Sequence, residues 1–151
     1  MATTVLKTAV GPLAVTEADD AIIRVTWSSA EEGEETSLLR EAKRQLTAYF
    51  DGDLTVFDLP LAPTGNDFQK TVCDAMLAIP FGETRTYGDI ARDLGTYGQP
   101  VGQACGANSI PVIIPCHRVL SATGLGGYSG SGGIETKIAL LRHEDAYPFL
   151  V

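Results

Sequence analysis

The seven residues from Leu59 to Gly65, LPLAPTG, have the composition of an extended linker, with two prolines and a final glycine. They separate two parts of the chain that differ in pattern, and this division constrains the fold more than any other feature. A chain of 151 residues has the length of one domain or of two small domains that share an interface. We therefore expect a first domain over residues 1–65 and a second over residues 66–151.

The first part has the pattern of a small antiparallel sheet followed by one helix. Short strands and the turns between them are predicted at Val5–Lys7, Gly11–Pro12, Leu13–Thr16, Asp19–Asp20 and Ile22–Trp27. Apolar residues at helical spacing predict a helix over Glu35–Phe50, which Asp51–Gly52–Asp53 ends. No residue of this α/β part suggests chemistry, so we expect it to act as a scaffold.

The second part is expected to be mainly α-helical. Asn66 or Asp67 can cap a first helix. A short helix over Tyr87–Leu94, a turn over Gly95–Gly98 and a second helix with Pro100 in its first turn then form a helix-turn-helix pattern. Such a pattern occurs in DNA-binding proteins and also in ordinary helical hairpins.

Small residues give the second helix of this pair a nearly bare face. Gly102, Ala104, Gly106 and Ala107 would let it approach a flat partner closely, and they would equally allow tight packing against another helix. The pattern by itself leaves both interpretations open.

The stretch IPVIIPCHRV, residues 110–119, leads a mostly apolar run into a Cys-His-Arg triplet. A cysteine is a useful nucleophile only as a thiolate, so the pKa of Cys116 would have to fall below its ordinary value of ~8.5. Adjacent side chains of an extended segment point apart, so a Cys116–His117 pair requires a bend at Pro115 or an intervening water. A buried cysteine followed by a structural histidine is the alternative.

Composition and charge favour a reducing compartment without membrane insertion. The net charge is −8, and residues 66–151 hold 6 basic and 8 acidic side chains, which counts against strong nonspecific binding of nucleic acid. No apolar run approaches the ~20 residues that span a bilayer, and the N-terminus lacks a signal-peptide core. Three cysteines without framework spacing indicate the cytoplasm, and a structural zinc is not expected.

Four segments resemble the O6-alkylguanine-DNA alkyltransferases, which are single-turnover DNA-repair proteins. They are IPFGETRTYGDIA (79–91), GANSIPVIIPCHRVL (106–120), GLGGYSG (124–130) and KIALLRHE (137–144), in the family's order and spacing. The PCHRV motif, with Asn108 eight residues before Cys116, is highly specific. The resemblance extends more loosely to the first part and thus covers nearly the whole chain.

The resemblance implies a stoichiometric transfer of an alkyl group from O6 of guanine in DNA, with O4-alkylthymine as a second lesion. Cys116 would be the acceptor, and His117 would take its proton through a water. Glu144 would orient His117, and Asn108 would brace the turn. Tyr87 would donate a hydrogen bond to the leaving guanine. No cofactor is implied.

The resemblance also implies how the lesion is held. Ser129 would donate to O6, the carbonyl groups of Cys116 and Val119 would read the exocyclic amine, and Pro111 and Tyr128 would wall the alkyl pocket. The partner would be double-stranded DNA, bound through its minor groove by a monomer. The side chains expected on the DNA side are Gln99, Gly102, Ala104, Gly106 and Arg118, with Arg118 also tying the active-site turn to its neighbours.

Gln99 departs from the family pattern, which has an arginine there to fill the stack that the flipped base leaves. Glutamine is shorter and neutral, although it can hydrogen-bond an orphaned cytosine. The chemistry therefore looks intact while base flipping looks weakened.

Two other functions stay open on this basis. The first is a protein that recognises alkylated DNA without repairing it, which the presence of Cys116 disfavours and the Gln99 departure favours. The second is a Cys-His hydrolase, which would need an oxyanion hole that the sequence does not show.

Overall fold

The structure is a computed structural model that describes residues 2–29, 33–128 and 133–146. The described chain forms two compact units. One comprises the residues up to Thr64 together with Ser109–Ile113, and the other comprises Gly65–Asn108 and the described residues from Ile114 onward. The expected α/β part and the expected helical part are both present. The assignment of Ser109–Ile113 to the first unit was not predicted.

The first unit contains a three-stranded antiparallel sheet in the order β1-β2-β3. The strands are β1 (Ala2–Thr8), β2 (Gly11–Ala18) and β3 (Ala21–Thr26). The turn predicted at Gly11–Pro12 is wrong, because these residues open β2. The Thr8 hydroxyl accepts hydrogen bonds from the N–H groups of Val10 and Gly11, which closes the turn two residues earlier.

Helix α1 (Ser37–Phe50) covers this sheet and buries its apolar face, with Leu39, Leu46 and Tyr49 fully inaccessible. Thr36 caps its N-terminus through its side chain. The predicted linker is extended, and its backbone is hydrogen-bonded to strand β3. Ile22 in the edge strand β3 donates to the Pro60 carbonyl at 2.9 Å and accepts from the Ala62 N–H at 2.8 Å.

The second unit is mainly helical, as expected. Its helices are α2 (Asp67–Leu77), α3 (Tyr87–Leu94), α4 (Gly98–Gly106) and α5 (Ile134–His143). Two short parallel strands, β4 (Arg85–Thr86) and β5 (Val119–Leu120), were not predicted. They hold the start of α3 beside the chain that follows Cys116.

Helices α3 and α4 form the predicted helix-turn-helix. Asn66 caps α2 and Thr86 caps α3, each in a reciprocal capping box. Gly95 ends α3 with a left-handed backbone, φ +69°, which glycine adopts without strain. Among the described residues, no helix is long and apolar enough to cross a membrane.

Candidate active site

Cys116 lies at the start of a single 3₁₀ turn, Cys116–Arg118, which directly follows Pro115. The backbone bends at this proline, and such a bend was one of the two alternatives, beside an intervening water, that a Cys116–His117 pair required. The Cys116 N–H donates to the Ile114 carbonyl at 2.8 Å, and Asn108 Nδ2 donates to the same oxygen at 2.9 Å. The side chain of Asn108 also hydrogen-bonds Cys116. Asn108 therefore braces both the backbone before the cysteine and the thiol.

His117, Arg118 and Glu144 form a buried hydrogen-bonded network. One carboxylate oxygen of Glu144 lies 2.7 Å from His117 Nε2 and 2.9 Å from an Arg118 terminal nitrogen, and the other accepts from Arg118 Nε at 2.7 Å. A further Arg118 nitrogen donates to the Ile79 carbonyl at 2.7 Å. Arg118 is therefore occupied inside the unit, with only 6% of its surface exposed. It is a structural residue rather than a DNA contact.

This network defines the tautomer of His117. A carboxylate only accepts hydrogen bonds, so the proton of the neutral imidazole is on Nε2 and Nδ1 carries the lone pair. Nδ1 is buried, and no group in the described part of the chain lies within hydrogen-bond distance of it. Burial lowers the pKa of His117, although the hydrogen bond and charge of Glu144 oppose the shift. The ring is therefore a neutral base at pH 7.

The pKa of Cys116 is raised, whereas a resting thiolate would require it to fall. Burial is the main cause, since 7% of the residue is exposed. The hydrogen bond from Asn108, the charge of Lys137 and the N–H groups of Cys116 and His117 act in the opposite direction without prevailing. The site thus holds a neutral thiol and a neutral imidazole, so the proton must leave as the thiol reacts.

Lys137 is a fully buried cation that the sequence interpretation did not select. Its ammonium donates to the carbonyl groups of Val119 at 2.6 Å and Gly127 at 3.0 Å. It also lies 5.8 Å from the centre of the Tyr87 ring. Burial lowers its pKa to about 8, against the charges that Cys116 and Cys105 would carry as thiolates. The KIALLRHE segment contains this lysine, but only the fold shows that it is buried beside the thiols.

The thiol opens onto a cavity of about 450 Å³, large enough for a flat heterocycle. Its lining residues come from α3, α4, the 3₁₀ turn and the glycine loop: Tyr87, Gly102, Cys105, Gly106, Cys116, Gly127 and Tyr128. Burial raises the pKa of Tyr87 to about 12, so its hydroxyl is a hydrogen-bond donor at neutral pH. Burial also raises the pKa of Cys105 to about 12, in keeping with a packing role.

The glycine loop approaches Tyr87 closely at Gly126. A Cβ atom there would lie 3.0 Å from the ring carbon Cε2 and 3.2 Å from the hydroxyl oxygen of Tyr87. The backbone φ of +73° is also one that side chains rarely adopt. A larger residue at this position would push against the Tyr87 ring, so the observed ring position requires glycine.

The remaining predicted residues lie in several environments. Gln99 is exposed on the first turn of α4, whereas Ala104 is 3% exposed and its side chain is available for packing rather than for DNA. Pro111 is half-buried in the first unit, and its role as a pocket wall stays a prediction. Ser129 lies outside the described residues. No three His, Cys, Asp or Glu side chains in the described ranges are grouped to hold a metal ion.

Comparison with known families finds two matching models. Residues 1–63 match the ribonuclease-like domain of 6-O-methylguanine DNA methyltransferase, and residues 67–146 match the DNA binding domain of the same family. A methylated-DNA–protein-cysteine methyltransferase from Methanosarcina acetivorans is 49% identical over 114 residues, which cover 74% of this chain and 72% of the relative.

Solved structures of similar proteins agree with these matches. The O6-methylguanine methyltransferase of Mycobacterium tuberculosis superimposes with a TM-score of 0.85 at 38% identity, over 97% of this chain and 94% of that chain. A structure of the same organism's protein in complex with DNA has a TM-score of 0.80 at 40% identity, over 94% of this chain and 91% of that chain.

Proposed function

The chain belongs to the 6-O-methylguanine DNA methyltransferase family, and from this premise we propose that Cys116 is the acceptor through which it repairs alkylated DNA. The protein transfers an alkyl group from DNA irreversibly to its own cysteine. The observation that carries the assignment is the position of the Cys116 thiol, which shares a cavity with Tyr87 and adjoins the buried His117–Glu144 pair. Neither the non-repairing recognition protein nor the Cys-His hydrolase is favoured.

The reaction is a displacement at the alkyl carbon of O6-alkylguanine. The Cys116 sulfur forms a bond to this carbon while the bond from carbon to O6 breaks, and guanine leaves with the electron pair. Tyr87, protonated because of its raised pKa, donates a hydrogen bond to the departing ring. The thioether product has no route back to the thiol, so each molecule works once.

Removal of the thiol proton uses His117. Its Nδ1 lone pair takes the proton through a bridging water, and Glu144 stabilises the resulting imidazolium through the 2.7 Å hydrogen bond at Nε2. Lys137, Asn108 and nearby backbone N–H groups stabilise the thiolate as it forms. Proton loss is coupled to attack, which keeps the resting thiol unreactive towards other electrophiles.

The substrate must be turned out of the duplex before the thiol can reach it. We propose that α4 binds the minor groove, where Gly102 and Gly106 at the cavity allow close approach. Carbonyl groups of Cys116 and Val119 would read the exocyclic amine. The Val119 oxygen already accepts a hydrogen bond from Lys137 at 2.6 Å, and a carbonyl oxygen has two lone pairs. Ser129 would donate to O6, with Pro111 and Tyr128 flanking the alkyl group.

Several broader features are part of the same proposal. Residues 1–65 would be the scaffold, and residues 66–151 would carry catalysis and DNA binding. The protein would act as a monomer. All three cysteines are free thiols, in keeping with the reducing cytoplasm as its compartment.

The direct test is incubation with duplex DNA that carries radiolabelled O6-methylguanine. We expect one label per chain, and intact-mass and peptide mass spectrometry should map the adduct from O6-benzylguanine to Cys116. Cys116→Ala and Cys116→Ser should lose transfer while keeping the fold and DNA binding. An adduct on Cys73 or Cys105 would contradict the assignment, and DNA binding without label would indicate a recognition protein.

A further inference from the structure

Tyr97 is the most exposed large apolar side chain among the described residues, with 81% of its surface accessible. It occupies the N-cap position of α4. In α1, α2 and α3 the N-cap residue is threonine or asparagine, and its side chain accepts a backbone hydrogen bond. At α4, as at α5, no side-chain cap is formed. A polar side chain at this position would stabilise the start of the helix, so neither capping nor burial explains tyrosine here.

The position of Tyr97 relative to the cavity suggests what the ring does. Gly102, Cys105 and Gly106 of the same helix line the cavity that contains the Cys116 thiol. With a rise of 1.5 Å per residue, Tyr97 lies about 8–14 Å before them along the helix axis. Stacked bases are about 3.4 Å apart along a strand. Along a strand that α4 follows, Tyr97 and a nucleotide held in the cavity would therefore be only a few base steps apart.

We propose that Tyr97 is an aromatic wedge that stacks on DNA bases beside the position vacated by the flipped nucleotide. The inference rests on the proposed function. Proteins that bind the minor groove commonly insert apolar side chains between base steps, and stacking on an aromatic ring contributes about 1–3 kcal/mol per base. A neutral ring needs no charge to do so, which suits a chain with a net charge of −8.

Gln99, also exposed at the start of α4, complements this role. Its amide can hydrogen-bond the partner base of the flipped nucleotide but has no aromatic surface with which to fill the stack. Tyr97 supplies that surface two residues earlier. Stacking on the bases and hydrogen bonding to the partner base, which one long side chain could combine, are then divided between Tyr97 and Gln99.

The test compares Tyr97→Ala and Tyr97→Phe with the parent. Single-turnover rates are measured at subsaturating protein on duplex DNA containing O6-methylguanine and on free O6-benzylguanine. We expect Tyr97→Ala to slow the duplex reaction by about 5- to 150-fold, the equivalent of one stacked base. The free-base rate should be unchanged, and Tyr97→Phe should resemble the parent. Val56→Ala, which removes an exposed apolar side chain from the other unit, is the matched control.

Other results would overturn the proposal. An unchanged duplex rate in Tyr97→Ala would exclude a wedge, and equal loss on duplex and free base would indicate a structural role. A defect in Tyr97→Phe equal to that in Tyr97→Ala would assign the effect to the hydroxyl group. Failure of the parent itself to transfer from both duplex DNA and free O6-benzylguanine would refute the proposed function instead, so the two failures are distinguishable.

Discussion

Replacement of Glu144 by glutamine tests two tasks of the buried carboxylate, which are to balance the charge of Arg118 and to support His117 as a base. Within the described part of the chain, the Glu144 carboxylate accepts a hydrogen bond from His117 and two from Arg118, and the residue is 2% exposed. Glutamine has nearly the same shape but no charge, and its NH₂ group faces donors. The variant should therefore be less stable, because the charge of Arg118 is left uncompensated. It should also react more slowly, because His117 loses its counter-charge.

The loss of stability follows from the buried ion pair. Removal of one partner from such a pair costs about 3–5 kcal/mol, because the remaining charge is left uncompensated. For a chain of this size, each 1 kcal/mol corresponds to roughly 2–4 °C in Tm. We expect thermal unfolding of Glu144→Gln to shift down by about 6–20 °C, measured by calorimetry or circular dichroism.

The loss of rate follows from the role of His117 as a base. Without the carboxylate, the imidazolium formed during proton transfer has no counter-charge at Nε2. General-base assistance contributes about 10²-fold or more, and we expect a decrease of that order. The assay is the single-turnover rate on free O6-benzylguanine, at a temperature well below the Tm of the variant.

Arg118→Met is the matched control, because it breaks the same ion pair but keeps the hydrogen bond between Glu144 and His117. Its Tm should fall by a similar amount, while its rate should fall much less. Equal rate losses in the two variants, or a parental rate in Glu144→Gln, would refute the argument. The carboxylate would then support the fold alone.

Three further variants test other parts of the site. Gln99→Arg should speed repair of duplex DNA and leave the free-base rate unchanged. If the parent reacts equally fast with duplex and single-stranded DNA and the variant changes neither rate, Gln99 has no role in base flipping. Lys137→Met should slow free-base transfer about tenfold, on the scale of one pKa unit at the thiol. The parental rate should decline near pH 8, where Lys137 loses its proton, and the variant should lack this decline. A decline that persists in the variant would be due to another group. The folded-state pKa of Cys105, about 12 against 9.0, means that its contribution to stability is complete below pH 9 and is lost as the pH rises towards 12. Between pH 8 and pH 10, the free energy of unfolding measured with urea should therefore fall by about 1.4 kcal/mol less in Cys105→Ala than in the parent. Equal decreases in the two proteins would contradict the raised pKa of Cys105.

Local signals in the sequence predicted much of the secondary structure. The bounds of α3 were predicted correctly, because Ile90, Ala91 and Leu94 lie at helical spacing and a glycine follows Leu94. The first β-turn was misplaced because a glycine–proline pair is a strong turn signal, whereas the hydroxyl of Thr8 closes the turn actually formed. Such side-chain closure depends on the strand register, which no single residue reveals.

The electrostatics of the site could not be predicted from the motif. PCHRV identifies the thiol and the imidazole, but the direction of their pKa shifts depends on burial, which is set by residues far apart in sequence. Lys137 illustrates the same limit. Its Nζ contacts carbonyl groups 18 and 10 residues earlier in the chain, so its proximity to Cys116 is a property of the fold.

The burial of Arg118 and Lys137 also affects how the protein finds damage. Residues 66–151 contain six basic side chains, and these two are withdrawn into the site, which leaves four to meet phosphates. Arg85 and Arg92, two of those four, are already paired with Asp93 and Asp89. Few counterions are released on binding, so log K should fall with log salt at a slope of about −4 or shallower. Weak attraction of this kind shortens each visit to undamaged DNA and favours a search by frequent hops between distant sites over long one-dimensional sliding.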